Sequence, residues 1–401
     1  MNGASFLGLR PLINAAGPVT RLGGHRLAPP VVAAMTEAAQ HHVSIELLQE
    51  RAGAVIATAT GAEAGYVTSG ASAGLALAGA ACIAKMDIAR MEGLPSSGAD
   101  APEIVMQRAH RSAYDHALRL TGARIVEVGT LGYPGAGGAA AWQIDAAIGP
   151  LTVAVAYSVR DAPGTVPLET VVKIAHAKGL PVIVDAAATL PPVENLTRFV
   201  AAGADLVAYS GGKGLRGPQA SGLLCGRADL IRSVALQHQD MDVHPATWRH
   251  RSMISDGVIA GVPTHGVGRP MKVGKETIVG LLAALEMFLT TDHDEEVQRQ
   301  HRALMAISTH VRSMPVSSMV RDTSPERHYP ILELDFGGAA AAPLAAATYE
   351  ALTMQEPAVY VRDYRIDEGI LVLVASALSD DEVELVNRAL DIAIGGVGVA
   401  Q

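Results

Sequence analysis

The residues best suited to chemistry stand where apolar runs end. In GADLVAYSGGKGLRGPQASGLLCG, residues 203–226, a strand-like run from Asp205 to Tyr209 breaks into Ser210-Gly211-Gly212 and presents Lys213. The chain then returns as a second apolar run from Gly222 to Cys225. An ammonium held on a glycine turn between two buried strands loses hydration that it must recover elsewhere. Condensation with an aldehyde removes that cost, because the amine becomes a Schiff base, and burial lowers lysine pKa in the direction that helps. The plain alternative is a solvated lysine on a hairpin.

Three further places bear on the choice. The run LPVIVDAAA is a buried strand with one carboxylate, Asp185, at its C-terminal end, where open parallel sheets bind ligands. An acid there either caps the next helix or pairs with a cationic ring nitrogen. His110, in QRAHRSAYDHAL, falls where a strand gives way to a helix. It is either a helix-start residue or a flat ring to stack on a flat cofactor. TSGASAG, Thr68 to Gly74, runs from a strand end into a helix and offers backbone N–H groups, hydroxyls and a positive helix end to an anion.

The elements that must position these residues form a regular alternation. Short strands are expected at Ala64–Thr68, Glu103–Gln107, Arg124–Val128, Leu151–Tyr157 and Leu180–Asp185, with helices at Ala73–Ala84, Ser112–Thr121, Gln143–Ile148 and Leu168–Lys178. Strands spaced by amphipathic helices mean a mainly parallel sheet covered on both faces. Before it come a breaker-rich arm (1–30) with a short strand at Leu12–Asn14, and helices opened by Pro30 and spanning about Ile45–Thr60. After it, a long helix from Lys272 to Thr290 leads to a smaller α+β region with strands near 329–336 and 358–375. The division expected is therefore an arm 1–30, a large domain 31–270, and an interdomain helix with a small domain over 271–401.

Composition narrows the function classes. The chain has 401 residues, 49% hydrophobic and only 4% aromatic, so its interior is built from small and aliphatic side chains. A net charge of −9 and the lack of a Lys/Arg cluster argue against nucleic acid as a partner. Cys82 and Cys225 sit in apolar runs and read as buried thiols of a reducing compartment. No membrane span or signal peptide is read, and a cytoplasmic protein is expected. The fourteen histidines show no metal-ligand spacing, so no metal is expected. GYPGAGG, residues 132–138, lacks the glycine spacing of a dinucleotide site and is read as a loop near the active site.

Strand-end Ser-Gly, strand-end His, strand-end Asp and turn Lys, in that order, reproduce the layout of fold-type I pyridoxal 5′-phosphate (PLP) enzymes. More closely, SGGKGLRGPQASGLL, LINAAGPVTRLGG and RPMKVGKETIVGLLAALE resemble segments of the selenocysteine synthase (L-seryl-tRNA selenium transferase) group. VDAAATLPPVENL, GAEAGYVTSGASAGLALAGAACI and HRSAYDHALRLTGARIVEVG resemble its D-glucosaminate-6-phosphate ammonia-lyase branch. The resemblance covers about residues 12 to 390. It implies an α/β PLP-dependent transferase fold of the aspartate aminotransferase type, with a mainly parallel, mixed seven-stranded sheet and a smaller C-terminal α+β domain.

The resemblance also implies roles. Lys213 holds the cofactor, Asp185 keeps its ring nitrogen protonated and His110 stacks on the ring. Ser69, Gly70, Ala71, Ser72 and Ser210 hold the phosphate. Thr264 and His265, in GVPTHGVGR, lie where related enzymes reach a neighbouring subunit's phosphate, so a homodimer or larger homo-oligomer is expected. A C-terminal arginine usually binds the substrate carboxylate, but Ser376 stands in its place, so Arg21, Arg269, Arg362 or Arg365 must substitute. The tRNA-handling members carry an extra N-terminal domain that has no room ahead of Ile13. The expected reaction is therefore Cα deprotonation and β-elimination on a β-hydroxy amino acid or 2-amino sugar acid, giving a 2-oxo acid and ammonia. Racemase, aldolase and β-replacement chemistry share its first step, and a non-catalytic binding protein is the alternative from another class.

Overall fold

The computed structural model describes residues 7–96, 98–130, 138–160, 162–323 and 329–397. Two compact units divide the chain, one of residues 27–289 and one combining 1–26 with 290–401.

The 27–289 unit is built on seven strands: β1 (Ala64–Thr68), β2 (Glu103–Gln107), β3 (Arg124–Val128), β4 (Thr152–Ser158), β5 (Val182–Asp185), β6 (Leu206–Ser210) and β7 (Gly222–Gly226). Their spatial order is β1-β7-β6-β5-β4-β2-β3. β7 runs antiparallel to both neighbours, and every other pairing is parallel. The expected mainly parallel, mixed sheet is thus what forms.

Alternation along each strand feeds two cores. In β6, Leu206 and Ala208 join the cluster on one face, while Val207 and Tyr209 join the cluster on the other. Both faces are closed by helices, the arrangement that continuous apolar strands require. Helix α1 (Ile45–Thr60) and helix α2 (Ala71–Ala84) flank β1 in sequence. From Gly74 to Ala84 every α2 residue is buried. A Cβ at Gly74 would meet Ala208 Cβ at 3.6 Å and Leu224 Cβ at 3.9 Å, so small side chains let this helix lie close on the sheet. Helices α3 (Leu168–Ala177), α4 (Ala228–His238) and α5 (Lys275–Thr290) complete the scaffold that matters here. The periodicity reading missed α4, and the helix it expected over Ser112–Thr121 is shorter in the structure. That segment is a 3-10 turn at Ala113–Asp115 followed by a single α turn, His116–Arg119.

The other unit carries a three-stranded antiparallel sheet of β8 (Ser317–Arg321), β9 (Ile331–Asp335) and β10 (Ile370–Leu373), with β9 in the middle. Ile13–Asn14 pairs parallel with Val359–Tyr360, which explains why the N-terminal arm clusters with the C-terminal residues. Among the described residues, no helix is long and apolar enough to cross a membrane. Both cysteines are buried and free.

Candidate active site

Register gathers the sequence-selected residues at the carboxyl edge of the seven-stranded sheet. Gly222 lies opposite Thr68 on one side and Ser210 on the other, so the Ser69 turn and the lysine turn leave the sheet side by side. Asp185 lies opposite Ala208 and Ser158. This edge is tightly packed. A Cβ on Gly222 would stand 2.6 Å from the Gly70 carbonyl carbon, and one on Gly214 2.0 Å from the Leu190 carbonyl oxygen. Glycine is required at both places because backbone passes against backbone.

The Ser69 turn has features that suit an anion. Gly70 has φ +130°, a conformation side-chain-bearing residues rarely adopt, and α2 begins directly after it with no side-chain cap. The first amides of a 14-residue helix therefore point outward with their donors uncommitted to a capping group. Thr68 Oγ1 donates to the Gly70 carbonyl at 2.8 Å and fixes the turn from within. Ser69 Oγ donates to the Met271 carbonyl at 2.7 Å. The same carbonyl lies 2.9 Å from His238 Nε2, and His238 Nδ1 lies 2.9 Å from Tyr66 Oη. Ser72 is exposed, and Ser210 is half-buried at the end of β6.

Asp185 ends β5 partly buried, with Oδ1 accepting the Ala187 N–H at 3.1 Å. Burial pushes its carboxyl above the usual carboxylate range, against the pull of that N–H and of the Lys213 and Arg160 charges. A cation placed against it would recover the cost of ionising it there. Lys213 Nζ sits 5.7 Å from the centroid of the Tyr114 ring.

His110 is enclosed at the start of the segment after β2. It has no exposed surface, and neither ring nitrogen has a hydrogen-bond partner among the described residues. Its ring meets Tyr157 edge-on, with centroids 4.4 Å apart and planes at 74°. Burial first, and the Arg160 charge second, lower its pKa to about 4. The aromatic ring beside the lysine is Tyr114, 63% exposed. Sequence reading passed over it as part of a helix. The signal lay in Ser112 and Asp115, which form a capping box: Ser112 Oγ accepts from the Tyr114 N–H at 3.2 Å and Asp115 Oδ2 from the Ser112 N–H at 3.2 Å. That box fixes where the Tyr114 backbone stands.

The remaining candidates are dispersed. Thr264 is exposed, its N–H donating to Glu92 Oε1 at 3.2 Å. His265 Nε2 lies 3.4 Å from Asp242, in an exposed trio with Asp240. Arg269 pairs with Asp240 at 2.8 Å. Arg21 and Arg365 belong to the other compact unit, where they pair with Asp363 at 3.2 Å and with Glu333 at 2.6 Å. Arg362 Nε donates to the Ala16 carbonyl at 2.7 Å. Residues 132–137 of the glycine loop lie outside the described residues.

The residues present at the carboxyl edge fit PLP: uncapped helix-start amides suit its phosphate, an acid that burial makes reluctant to ionise suits its ring nitrogen, and a lysine suits its aldehyde. Comparison with known proteins points the same way. Residues 91–351 match the model of the aminotransferase class-V family. The chain is 34% identical, over 95% of its length and 94% of the relative's, to the D-glucosaminate-6-phosphate ammonia lyase of Salmonella typhimurium. It is also 34% identical, over 96% of its length and 90% of the relative's, to a 5′-C-glycyluridine monooxygenase-decarboxylase of a Streptomyces species. A solved structure of D-glucosaminate-6-phosphate ammonia-lyase superposes with a TM-score of 0.78 at 31% identity, covering 99% of both chains. The edge geometry and these matches agree: the chain belongs to the aminotransferase class-V family, and its cofactor is pyridoxal 5′-phosphate.

Proposed function

We propose that this enzyme is an ammonia-lyase that removes the Cα proton and a Cβ hydroxyl from a β-hydroxy amino acid or a 2-amino sugar acid. Loss of water across Cα–Cβ leaves an enamine, and its hydrolysis yields a 2-oxo acid and ammonia. The observation that carries the reading is the meeting of Lys213, Asp185 and the uncapped start of α2 at one sheet edge, in a chain so similar to an ammonia lyase over its whole length.

Pyridoxal 5′-phosphate, when bound, supplies an aldehyde for amine capture and an electron sink for the charge left at Cα. The protein supplies the rest. Amides of Gly70, Ala71 and Ser72, with Ser210, hold the phosphate. Asp185 holds negative charge against the ring nitrogen. Lys213, once its amine is released, takes the Cα proton and returns a proton to the leaving hydroxyl. Tyr114, rather than the enclosed His110, covers the ring from the open side. His110 is left a positioning role, packed edge-on to Tyr157 behind the sheet edge. Thr264 and His265, on an exposed loop, reach the site of a neighbouring copy in a homo-oligomer. The two buried thiols suit a cytoplasmic setting.

A second reading, oxidative decarboxylation, is favoured by the equal identity to the monooxygenase-decarboxylase. One screen separates the two. Purified protein reconstituted with PLP is offered D- and L-β-hydroxy amino acids and 2-amino sugar acids, while ammonia, oxygen uptake and carbon dioxide are followed. Ammonia with neither oxygen uptake nor carbon dioxide establishes the lyase. Oxygen uptake with carbon dioxide establishes the second reading, and Cα–H exchange alone points to a racemase. Lys213→Ala should abolish the visible absorbance of the reconstituted protein; a band that survives refutes the assignment of Lys213.

A further inference from the structure

We propose that Arg160 binds an anionic group of the substrate, a carboxylate or a phosphate, at the carboxyl edge of the sheet. Sequence reading sought this arginine in the arm, the post-lysine segment and the C-terminal region, and the structure gives each of those a protein partner. Arg21, Arg269 and Arg365 pair with carboxylates; Arg362, like Arg160, bonds a backbone carbonyl, but it belongs to the other compact unit and not to a strand end of the seven-stranded sheet. Arg160 lies elsewhere, two residues past the end of β4.

Register places it. Ser158 lies opposite Asp185, and the Val159 N–H donates to the Asp185 carbonyl at 3.0 Å, so Arg160 leaves the sheet beside the acid assigned to the cofactor ring. Its guanidinium reaches toward the segment after β2, where Nη1 donates to the Arg111 carbonyl at 3.3 Å. The side chain thus spans the space between two strand ends, Asp185 on one side and the His110–Ser112 segment on the other. Its charge is felt by both Asp185 and His110.

Among the arginines gathered at these strand ends, Arg160 differs in having no carboxylate partner among the described residues. The other arginines that follow β2 are already neutralised: Arg108 by Glu127 at 3.0 Å, Arg111 by Asp115 and Glu127, and Arg119 by Asp115 at 3.4 Å. Arg160 has only the Arg111 carbonyl among the described residues, which occupies one of its five donors. It is exposed, so its remaining fork is open to a planar anion in bidentate geometry. A structural tether alone would not need a guanidinium here, since any single N–H donor could serve that carbonyl.

The proposal rests on the PLP reading, and its test separates the two. Holoenzyme and the Arg160→Ala and Arg160→Gln variants are titrated with D- and L-alanine and with the matching alaninamides, following the visible band. Alanine has no leaving group, so the titration reads binding and not turnover. Arg160→Gln keeps a donor for the Arg111 carbonyl and controls for the tether. D-Glucosaminate and its 6-phosphate form a second pair that isolates a phosphate. The wild type should favour the anionic member of one pair by about 10- to 100-fold, and both variants should lose that preference while the uncharged or unphosphorylated member binds as before. Loss in the alanine pair identifies the anion as a carboxylate, and loss in the sugar-acid pair as a phosphate. Variants that keep both preferences overturn the proposal. A wild type that never develops the band overturns the cofactor reading and this assignment with it.

Discussion

Replacing Asp185 by Asn isolates what the buried acid contributes. Asn keeps the shape and still offers Oδ1 to the Ala187 N–H, so the local turn at 185–187 survives. What disappears is a carboxylate whose ionisation burial already opposes. In the cofactor-free protein that change should not destabilise. A carboxyl raised above the ordinary 3.8 binds its proton in the folded state at pH values where the unfolded chain has released it. Its contribution to stability therefore falls as pH rises from 3.8 through the raised value, and at neutral pH the acid is a net burden. Cofactor-free Asp185→Asn should melt at or above the wild type at neutral pH, and the advantage should vanish on acidification. With cofactor the order reverses. A charge-assisted bond to a protonated ring nitrogen contributes about 1.5–3 kcal/mol, so its loss should weaken PLP binding roughly 10- to 100-fold. At a fixed excess of PLP, a 100-fold loss removes about 2.7 kcal/mol of ligand-induced stabilisation. Paired melting curves, with and without PLP, read both effects. A variant that is less stable without cofactor by more than about 1 kcal/mol, yet keeps the full PLP-induced shift, would show Asp185 to be an ordinary helix-start residue.

Two further outcomes follow from the rings. His110 is held neutral, with its pKa lowered from 6.5 to about 4, so the unfolded chain takes up a proton that the native ring refuses. Stability should fall as pH drops from above 6.5 toward 4, by up to about 3 kcal/mol in total, and His110→Leu should flatten that slope by close to one proton in melts across this range. Tyr114→Ala should weaken PLP retention about 3- to 10-fold, the worth of one aromatic contact, whereas His110→Leu should leave it near the wild-type value; dialysis against a cofactor scavenger ranks the two, and the opposite order would return the covering role to His110.

Much of the scaffold was legible because its signals are local. All seven large-sheet strands announce themselves as short apolar runs ending in Gly, Ser, Asp or a turn, and Lys213, Asp185 and Ser69 could be assigned to strand ends before their register was known. Register then did what spacing could not: it set Thr68, Gly222 and Ser210 abreast. The surroundings of the two rings are where sequence says least. His110 and Tyr114 are four residues apart, and which of them faces the lysine depends on a capping box of Ser112 and Asp115 that replaces a regular helix start with a 3-10 turn. Arg160 was equally hidden. Nothing in the sequence around Arg160 marks it as lacking a carboxylate partner among the described residues, because the neighbouring arginines are neutralised in part from other elements, such as by Glu127 on β3. Helix α4 was missed because it begins two residues past β7 with Arg227, not a Ser, Thr, Asp or Asn, at its N-cap.

The contacts around the Met271 carbonyl have a consequence for how the cofactor turn behaves when empty. A carbonyl can only accept, so His238 must carry its proton on Nε2, and Nδ1 is left to accept from Tyr66. Every hydrogen in the series from Tyr66 to Ser69 thus has one permitted address, and the Ser69 hydroxyl proton is spoken for before any phosphate arrives. While that bond holds, an incoming anion has the amides of the turn to meet and not the Ser69 hydroxyl proton. The turn is anchored from behind, by groups that never meet the ligand, so its shape does not depend on being filled. Cofactor loss should then leave a socket rather than a slack loop, and rebinding should proceed without a folding step to wait for.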